Sequence, residues 1–325
     1  MAGAMKSFIT LTTNPIGGQA VMEGVMIRNG DTYALALRLA DGTIVAERLP
    51  WLTLTRGWLK TPFVRGFPTL IETLANGIKA LNKSAVQSAE GEGEDIKPWQ
   101  LALMMAVAIG MAVLLFVVAP HLFSIGMQWI GLSGGMEGVS FHLWDGLFKF
   151  LIFIGYILAI SFVPDIRRVF QYHGAEHKVI LAFESGDEVS ASAALRFSRF
   201  HPRCGTTFLL FVLSLAIILH AITVPVLLHV WTPGGSVAKH SLILFFKLLL
   251  MIPISSLAYE IIRYADRLGD NFAGRVLRAP GMLLQLLTTW EPDMKQLEVA
   301  VVSLAVALGP DAPHTMSVPA HTRPE

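Results

Sequence analysis

The sequence predicts an α-helical membrane protein with four transmembrane helices and a small N-terminal antiparallel β-meander. Of the 325 residues, 53% are hydrophobic and 15% are charged, which excludes disordered, collagen-like and ordinary soluble proteins. The apolar residues are concentrated in four long blocks, and two turn dipeptides divide the first fifty residues into short β-forming stretches. The formal net charge of +1 gives no overall attraction to polyanions, so no specific nucleic acid partner is expected.

The β-meander is predicted within residues 1–55, ahead of the membrane. The dipeptides Asn29-Gly30 and Asp41-Gly42 favour tight hairpin turns. They separate three predicted strands, at residues 19–28, 32–40 and 43–49. The middle strand alternates, with its larger apolar side chains on one side, so we expect one face of the sheet to be covered.

Residues 56–98 are predicted to form an amphipathic helix followed by an acidic linker. Apolar residues recur at helical spacing between residues 56 and 84, and Pro68 suits the first turn of a helix. We expect this helix to pack against the sheet, and the alternative is a helix that lies on the membrane surface. The acidic, glycine-containing linker covers residues 87–95.

The four apolar blocks place a four-helix transmembrane domain at residues 99–262. The first block, residues 101–119, contains no charge, and its length of roughly 28 Å as a helix matches the hydrocarbon thickness of a bilayer. The other blocks are residues 147–163, 206–228 and 241–262. Lys149 lies near one end of the second block, from which its amine can reach the membrane surface. His220 lies in the middle of the third block, and we expect a neutral imidazole bonded to a neighbouring helix.

The basic residues predict the orientation of the bundle, since lysine and arginine are retained on the cytoplasmic side. Ten precede the first helix, six lie in the connection at 164–205 and four closely follow the fourth helix, whereas the other two connections hold none and one. Both termini and the 164–205 connection are therefore expected in the cytoplasm, in a multi-pass protein of the inner membrane. The first fifteen residues lack a long apolar core, so no cleavable signal is expected.

Beyond the fourth helix, a cytoplasmic helical segment is predicted at 263–308 and a disordered tail at 309–325, which lacks any apolar period. Four spans are few for a self-contained catalytic membrane domain. Besides the lipid bilayer, a membrane protein partner or a second copy of the chain is therefore an open alternative.

The strongest chemical signal is the sequence HGAEH in the cytoplasmic connection. His173 and His177 are four residues apart and project from one face of a helix, where a metal ion can bridge them. Glu176 has the position of the general base in the inverted zinc-protease pattern H-x-x-E-H. A hydrogen-bonded surface pair is the alternative for the two histidines.

A second cluster, HPRC, immediately precedes the third helix. His201 and Cys204 are three residues apart in a segment that Pro202 makes extended or turning, and together they can chelate one ion. The two clusters predict a site with three nitrogen ligands and one sulfur ligand, for zinc or another divalent transition metal. Its ligands are His173, His177, His201 and Cys204. A closed shell of four ligands would be structural, and a shell with an open position would be catalytic.

Two further carboxylates are candidates for this site. Glu23 falls on the same side of the first predicted strand as Val25, so its carboxylate points into an apolar face and needs a partner. It would complete or support the metal site as a catalytic residue, or accept hydrogen bonds from Arg28 or backbone amides, or be exposed if the register shifts by one residue. Glu260 pairs most simply with Arg263, and the alternative is a hydrogen bond to a metal-ligating imidazole.

These segments resemble the bacterial YqhQ-like family of multi-pass membrane proteins, described as predicted metal-dependent enzymes without an assigned reaction. The shared stretches are GGQAVMEGVMIR at 17–28, HGAEHK at 173–178, HPRCGT at 201–206, YEIIRYA at 259–265 and APGMLLQLLTTWEPDMKQLEVA at 279–300. The resemblance implies that the candidate residues belong to the motifs that define the family. They are Glu23, His173, Glu176, His177, His201, Cys204 and Glu260. It also implies two short helices between residues 280 and 304.

We therefore hypothesise a membrane-embedded metalloenzyme with Glu176 as general base, which hydrolyses a peptide, lipid or nucleotide-derived bond. The alternative is a non-enzymatic scaffold, in which the metal rigidifies the cytoplasmic connections and the platform binds a partner such as membrane-protein biogenesis machinery. A transporter is not favoured, because few polar residues fall within the predicted helices and no inverted repeat is visible.

Overall fold

The structure is a computed structural model that describes residues 16–91, 93, 96–269, 271–311, 316–317 and 322–324. It confirms the predicted fold class, since helices dominate, four segments are long and apolar enough to cross a membrane, and a small sheet lies near the N-terminus. The N-terminal stretch in which no signal was expected, part of the acidic linker and most of the predicted tail lie outside the described residues.

Helices account for most of the chain between residues 66 and 308. They are α1 (Gly66–Gly91), α2 (Pro98–Val113), α3 (Ala119–Trp129), α4 (Val139–Ser161), α5 (Pro164–Ser185), α6 (Ala191–Ala194), α7 (Thr206–Val230), α8 (Ser236–Arg267), α9 (Phe272–Thr288) and α10 (Met294–Leu308). The connection predicted at 164–205 is therefore largely helical, and the segment after the fourth span consists of two helices.

Within the described residues the sheet has five strands in sequential order, and the first four are antiparallel, where three were predicted. The first four are β1 (Gly17–Val21), β2 (Gly24–Asn29), β3 (Thr32–Arg38) and β4 (Ile44–Pro50). The first predicted strand is two strands, because the chain reverses at Met22 and Glu23, where Glu23 has a φ of 52°. A fifth strand, β5 (Thr322–Pro324), pairs in parallel with the open edge of β4. The prediction of a disordered tail is therefore wrong for these three residues.

Both faces of the sheet are covered, whereas the sequence predicted one. On one face, Tyr33 and Leu35 of β3 are buried with Ala80 of α1, so the first helix packs on the sheet as expected. On the other face, Ala34 and Ala36 pack in the same core as α10 and α5. Most apolar side chains of α10 are inaccessible to solvent, which makes this helix the centre of the core outside the membrane-spanning segments.

The membrane-spanning segments are longer than the predicted blocks. They are Pro98–Trp129, Val139–Ser161, Thr206–Val230 and Ser236–Arg267. The first comprises α2 and α3, joined by a π-helical turn at Leu114–Val118, and continues past the predicted end at residue 119. The second, α4, begins at Val139 rather than at residue 147.

Charged side chains lie together inside the bundle, where the sequence predicted few polar residues. Asp145 of α4 lies 2.8 Å from Nζ of Lys247 on α8 and 3.3 Å from Nζ of Lys149, and these side chains are at most 9% exposed. Nε2 of His121 and Nδ1 of His240 are 2.8 Å apart. We call these residues, with the buried His142 and His220, the bundle cluster. The prediction that the amine of Lys149 reaches the membrane surface is wrong, because Asp145 holds that amine within the bundle.

Candidate metal centre

His173, His177 and Cys204 converge beside the end of the bundle where α7 begins. Each offers one ligand atom, and these atoms lie within 4.8 Å of one another. Nε2 of His173 is 3.2 Å from Sγ of Cys204, and the centroids of the two imidazole rings are 4.4 Å apart. Imidazole nitrogen and thiolate sulfur are preferred ligands of zinc. We refer to these three candidate ligands as the ligand triad.

Both histidines make a hydrogen bond through Nδ1 that leaves Nε2 available as a ligand atom. Nδ1 of His173 donates to the carbonyl oxygen of Thr288 at 2.8 Å, and Nδ1 of His177 donates to that of Arg199 at 2.6 Å. Because a carbonyl oxygen only accepts, Nδ1 carries the proton, and Nε2 of the neutral ring presents a lone pair. Metal-ligating histidines almost always make this second hydrogen bond. Burial lowers the pKa of His177, which favours the neutral ring.

A close approach at Gly174 positions the carbonyl group that holds His173. A Cβ atom at Gly174 would overlap the carbonyl oxygen of Trp290, so only glycine lets the chain after α9 lie against α5. The N–H of Trp290 donates to the carbonyl oxygen of Phe170 at 2.9 Å. The same contact brings the end of α9, with the carbonyl oxygen of Thr288, against His173.

Helix α9 also fixes the segment that carries Cys204. The buried amide of Gln285 accepts from the backbone N–H of His201 at 2.8 Å and donates to its carbonyl oxygen at 2.9 Å. A Cβ atom at Gly281 would overlap the side chain of Thr207, so α9 packs closely against the start of α7. These contacts hold Cys204 immediately before α7 and opposite the two histidines of α5.

His201 lies beside the ligand triad but is not part of it. Its ring centroid is 5.5 Å from that of His177. Its Nδ1 accepts from the backbone N–H of Arg203 at 3.2 Å, so in the neutral ring Nε2 carries the proton, and Nε2 lies 3.5 Å from Oε2 of Glu184. Burial opposes ionisation of Glu184, but hydrogen bonding to His201 and the charge of Arg203 outweigh it and lower its pKa. Of the four predicted ligands, three therefore converge, and His201 lies beside them.

Glu176 is buried between α5 and β1, next to the imidazoles. Burial raises its pKa, against the opposing effects of His173, His201 and a hydrogen bond from the N–H of Gly18. A Cβ atom at Gly18 would overlap the carboxyl group, so this glycine makes the space for Glu176. Oε2 is buried and has no hydrogen-bond partner among the described residues. A buried carboxyl group with a raised pKa is suited to taking up and releasing a proton.

Glu23 has other partners than the ligand triad. It lies in the β1–β2 turn rather than within a strand, so its placement on an apolar strand face was wrong. Its two carboxylate oxygens each accept a hydrogen bond of 2.5 Å from Arg168, and the hydroxyl group of Tyr172 donates at 3.3 Å. We therefore do not include Glu23 in the candidate centre.

Glu260 also forms an ion pair, with a partner that the sequence did not indicate. Its two carboxylate oxygens accept hydrogen bonds of 2.7 Å from Arg65, which lies just before α1. Close packing of Gly66 against Ser256 of α8 brings Arg65 to this position. The expected partner was Arg263, three residues further along the same helix.

Four residues of the centre were not identified from the sequence. They are Glu184, Arg199, Gln285 and Thr288. Gln285 and Thr288 fall within the shared stretch at 279–300, which could have pointed to them as positioning residues. Arg199 and Thr288 contribute backbone carbonyl groups, and a sequence does not reveal which carbonyl group faces an imidazole.

Comparison with known proteins identifies the family. The sequence profile described as "Protein of unknown function (DUF1385)" matches residues 61–309, which include the four spans and the ligand triad. The chain belongs to this family. It is similar to the protein of Bacillus subtilis (strain 168) named "Uncharacterized protein YqhQ", with 32% identity over 307 residues that cover 88% of this chain and 90% of that protein. No solved structure matches the chain. The resemblance to the YqhQ-like family is confirmed, and the family name assigns no reaction.

Proposed function

We propose that this membrane protein is a metal-dependent hydrolase with its centre on the cytoplasmic face. The observation that carries the proposal is the ligand triad, in which both histidines donate Nδ1–H to backbone carbonyl groups and turn Nε2 to the centre. Three protein ligands are typical of catalytic zinc sites, whereas structural sites use four. The donor set therefore fits zinc or another divalent transition metal in a catalytic role.

A metal ion bound there would supply Lewis acidity. The chain supplies the other functions. Nε2 of each histidine and Sγ of Cys204 would hold the ion, and the carbonyl groups of Thr288 and Arg199 keep the imidazoles in the required tautomer. The carboxyl group of Glu176 takes a proton from the attacking water and passes it to the leaving group.

The cytoplasmic location follows from the basic residues. Six of them lie in the 164–205 segment that carries the histidines and Cys204, and lysine and arginine are retained on that side of the membrane. The cytoplasm is also reducing, which keeps a lone thiol available as a ligand.

A scaffold stabilised by the metal is the second candidate. The observation in its favour is the position of His201, whose ring centroid is 5.5 Å from that of His177. Turning this ring away from Glu184 would add a fourth ligand and close the coordination shell, which is typical of structural zinc.

Glu176→Gln separates the two candidates. We expect the purified variant to fold and to bind as much metal as the wild type, yet to fail in rescuing a strain that lacks its own copy of the gene. The matched control is Glu188→Gln, an exposed carboxylate soon after α5, which should retain both properties. Full rescue by Glu176→Gln would contradict the hydrolase and support the scaffold. Equal metal content in the wild type and in a His173→Ala, His177→Ala variant would show that these histidines do not bind the metal. Both candidate functions would then lose their metal centre.

A further inference from the structure

Helix α9 has the opposite polarity from a helix on the surface of a soluble protein. A surface helix of that kind turns its apolar stripe to the core and its polar face to water. The buried residues of α9 are Gly274, Gly281, Leu284, Gln285 and Thr288, and only one of them is a large apolar residue. The face of α9 that packs against the rest of the chain is therefore mostly small or polar.

The outward face of α9 is an apolar row. Phe272, Val276, Leu283 and Leu286 are between 52% and 76% exposed. At about 100° per residue they fall within an arc of about 80°, so they form one continuous row along the helix. We call these four residues the α9 stripe. An exposed apolar patch of this kind marks contact with a membrane or with another protein.

Three contacts show that α9 crosses the end of the bundle. A Cβ atom at Gly274 would overlap the turn that follows α8, and one at Gly281 would overlap Thr207, the second residue of α7. The carbonyl oxygen of Thr288 accepts from His173 of the ligand triad. Helix α9 therefore runs from the end of one membrane-spanning segment, past the start of another, to the ligand triad.

The surfaces next to the α9 stripe belong to membrane-spanning segments. Helix α9 contacts α4, α7 and α8, which are all long and apolar enough to cross a membrane. Near the ends that it approaches, Leu209 of α7 and Tyr264 of α8 are exposed as well. Arg275, beside the stripe, is also exposed, and an arginine can extend from an apolar face to the lipid headgroups. The α9 stripe thus continues the surface that the spans present to lipid.

Exposed aromatic side chains lie at the same end of the bundle on another element. Trp58 and Phe63 precede α1 and are both exposed. The backbone N–H of Phe63 donates to Glu260 at 3.3 Å, close to the end of α8. Tryptophan is enriched where a membrane meets water. These side chains support a bilayer surface at the level that α9 crosses.

We propose that α9 is an interfacial helix, with the α9 stripe immersed in the leaflet at this end of the bundle. Its apolar face then lies about 5–10 Å into the boundary between headgroups and acyl chains. A second copy of the chain is the competing occupant, but a stable protein interface uses about 20–30 residues on each side, and the stripe offers four. The ligand triad at the far end of α9 would lie at the bilayer surface, whether or not the centre is a hydrolase.

The test is photochemical crosslinking of the full-length protein in vesicles of phosphatidylethanolamine and phosphatidylglycerol. The photoreactive residue benzoylphenylalanine replaces Leu283 in one variant and Phe272 in another, and because both positions are exposed the fold should be retained. After irradiation, intact mass spectrometry should show chains shifted by the mass of one phospholipid. Ile218, exposed in the middle of α7, is the positive control.

Leu195 is the matched negative control. It is exposed as well, but it follows Ala194, which packs in the core around the sheet and α10, so benzoylphenylalanine there should give no lipid adduct. Absence of the adduct at Leu283 or at Phe272, in a preparation where Ile218 gives one, would overturn the proposal. So would equal adducts at Leu195 and Leu283. A covalent dimer in place of the lipid adduct would assign the stripe to a second copy and overturn it too.

The same experiment on a His173→Ala, His177→Ala background keeps this proposal apart from the proposed function. Immersion of α9 does not require a metal, so the lipid adducts should persist when the metal is lost. Their loss in this background would show that the metal centre, rather than the bilayer, holds α9 in place, and would overturn the proposal.

Discussion

The bundle cluster and the ligand triad both bury histidines, but their side chains are arranged in opposite ways. In the bundle cluster, Asp145 lies between Lys149 and Lys247, so opposite charges from two helices meet. In the ligand triad, Nε2 of His173 lies 3.2 Å from Sγ of Cys204, and Nδ1 of the same imidazole is bonded to the backbone.

From this difference we expect a structural role for the bundle cluster and a binding role for the ligand triad. Buried opposite charges that pair with one another hold helices together, and removing one of them leaves the others uncompensated. Converging lone pairs need a cation, and metal affinity then depends on how well the surrounding hydrogen bonds hold the ligands. We therefore expect changes in the bundle cluster to alter stability, and changes in the ligand triad to alter metal binding.

The largest effect is expected from Asp145→Asn. This variant leaves two ammonium groups in the bundle without a carboxylate, so the free energy of unfolding in detergent should fall by about 3–5 kcal/mol. Replacing Lys149 and Lys247 by methionine in the same variant should restore most of this loss. A thermal midpoint equal to that of the wild type would show that the bundle cluster does not hold the helices together.

Cys204→Ser tests whether changes in the ligand triad alter metal binding rather than stability. Loss of a direct ligand should weaken zinc affinity, measured in competition with a chelator, by more than about 100-fold. This loss is larger than the 10- to 100-fold that is typical when a residue hydrogen-bonded to a ligand is replaced. The stability of the metal-free protein should change little, because the side chains are similar in size. Zinc affinity within twofold of the wild type would exclude Cys204 as a ligand.

Gly174→Ala should affect metal binding through the backbone. The added methyl group would push the carbonyl group of Trp290 away from α5 and with it the end of α9 that holds His173, so zinc affinity should fall about 10- to 100-fold. Gly155→Ala on α4 is the control, because nothing lies within 4 Å of its added Cβ atom. Equal zinc affinity in both variants would show that the close contact does not position His173.

The smallest effect is expected from Glu23→Gln. Its ion pair with Arg168 is partly exposed, so the loss in unfolding free energy should be about 0.5–1 kcal/mol, with no change in zinc content. Loss of zinc from this variant would return Glu23 to the metal centre.

The comparison also shows how far the sequence could predict this molecule. The four spans follow from apolar length alone, because a bilayer requires it. The ends of the spans could not be predicted in this way. Asp145 and Lys149 are charged, and their burial in the bundle is explained only by Lys247, which lies about a hundred residues further along the chain and pairs with Asp145.

The candidate centre was also predictable only in part. The spacing of His173 and His177 predicts their convergence, because residues four apart share a helix face. The position of His201 beside the triad rather than within it could not be predicted, because Glu184 approaches its ring only after α5 and the HPRC segment have packed. The turn at Glu23 was not predicted, because residues 22–24 contain neither of the dipeptides, Asn-Gly and Asp-Gly, that marked the other two turns.

X-ray absorption at the zinc K edge of the full-length protein, purified without chelator, tests the ligand triad most directly. The account predicts a single sulfur neighbour at about 2.3 Å together with imidazole nitrogen at about 2.0–2.1 Å, and loss of the sulfur signal in Cys204→Ser. A zinc spectrum without sulfur, or a protein that retains no transition metal, would contradict it.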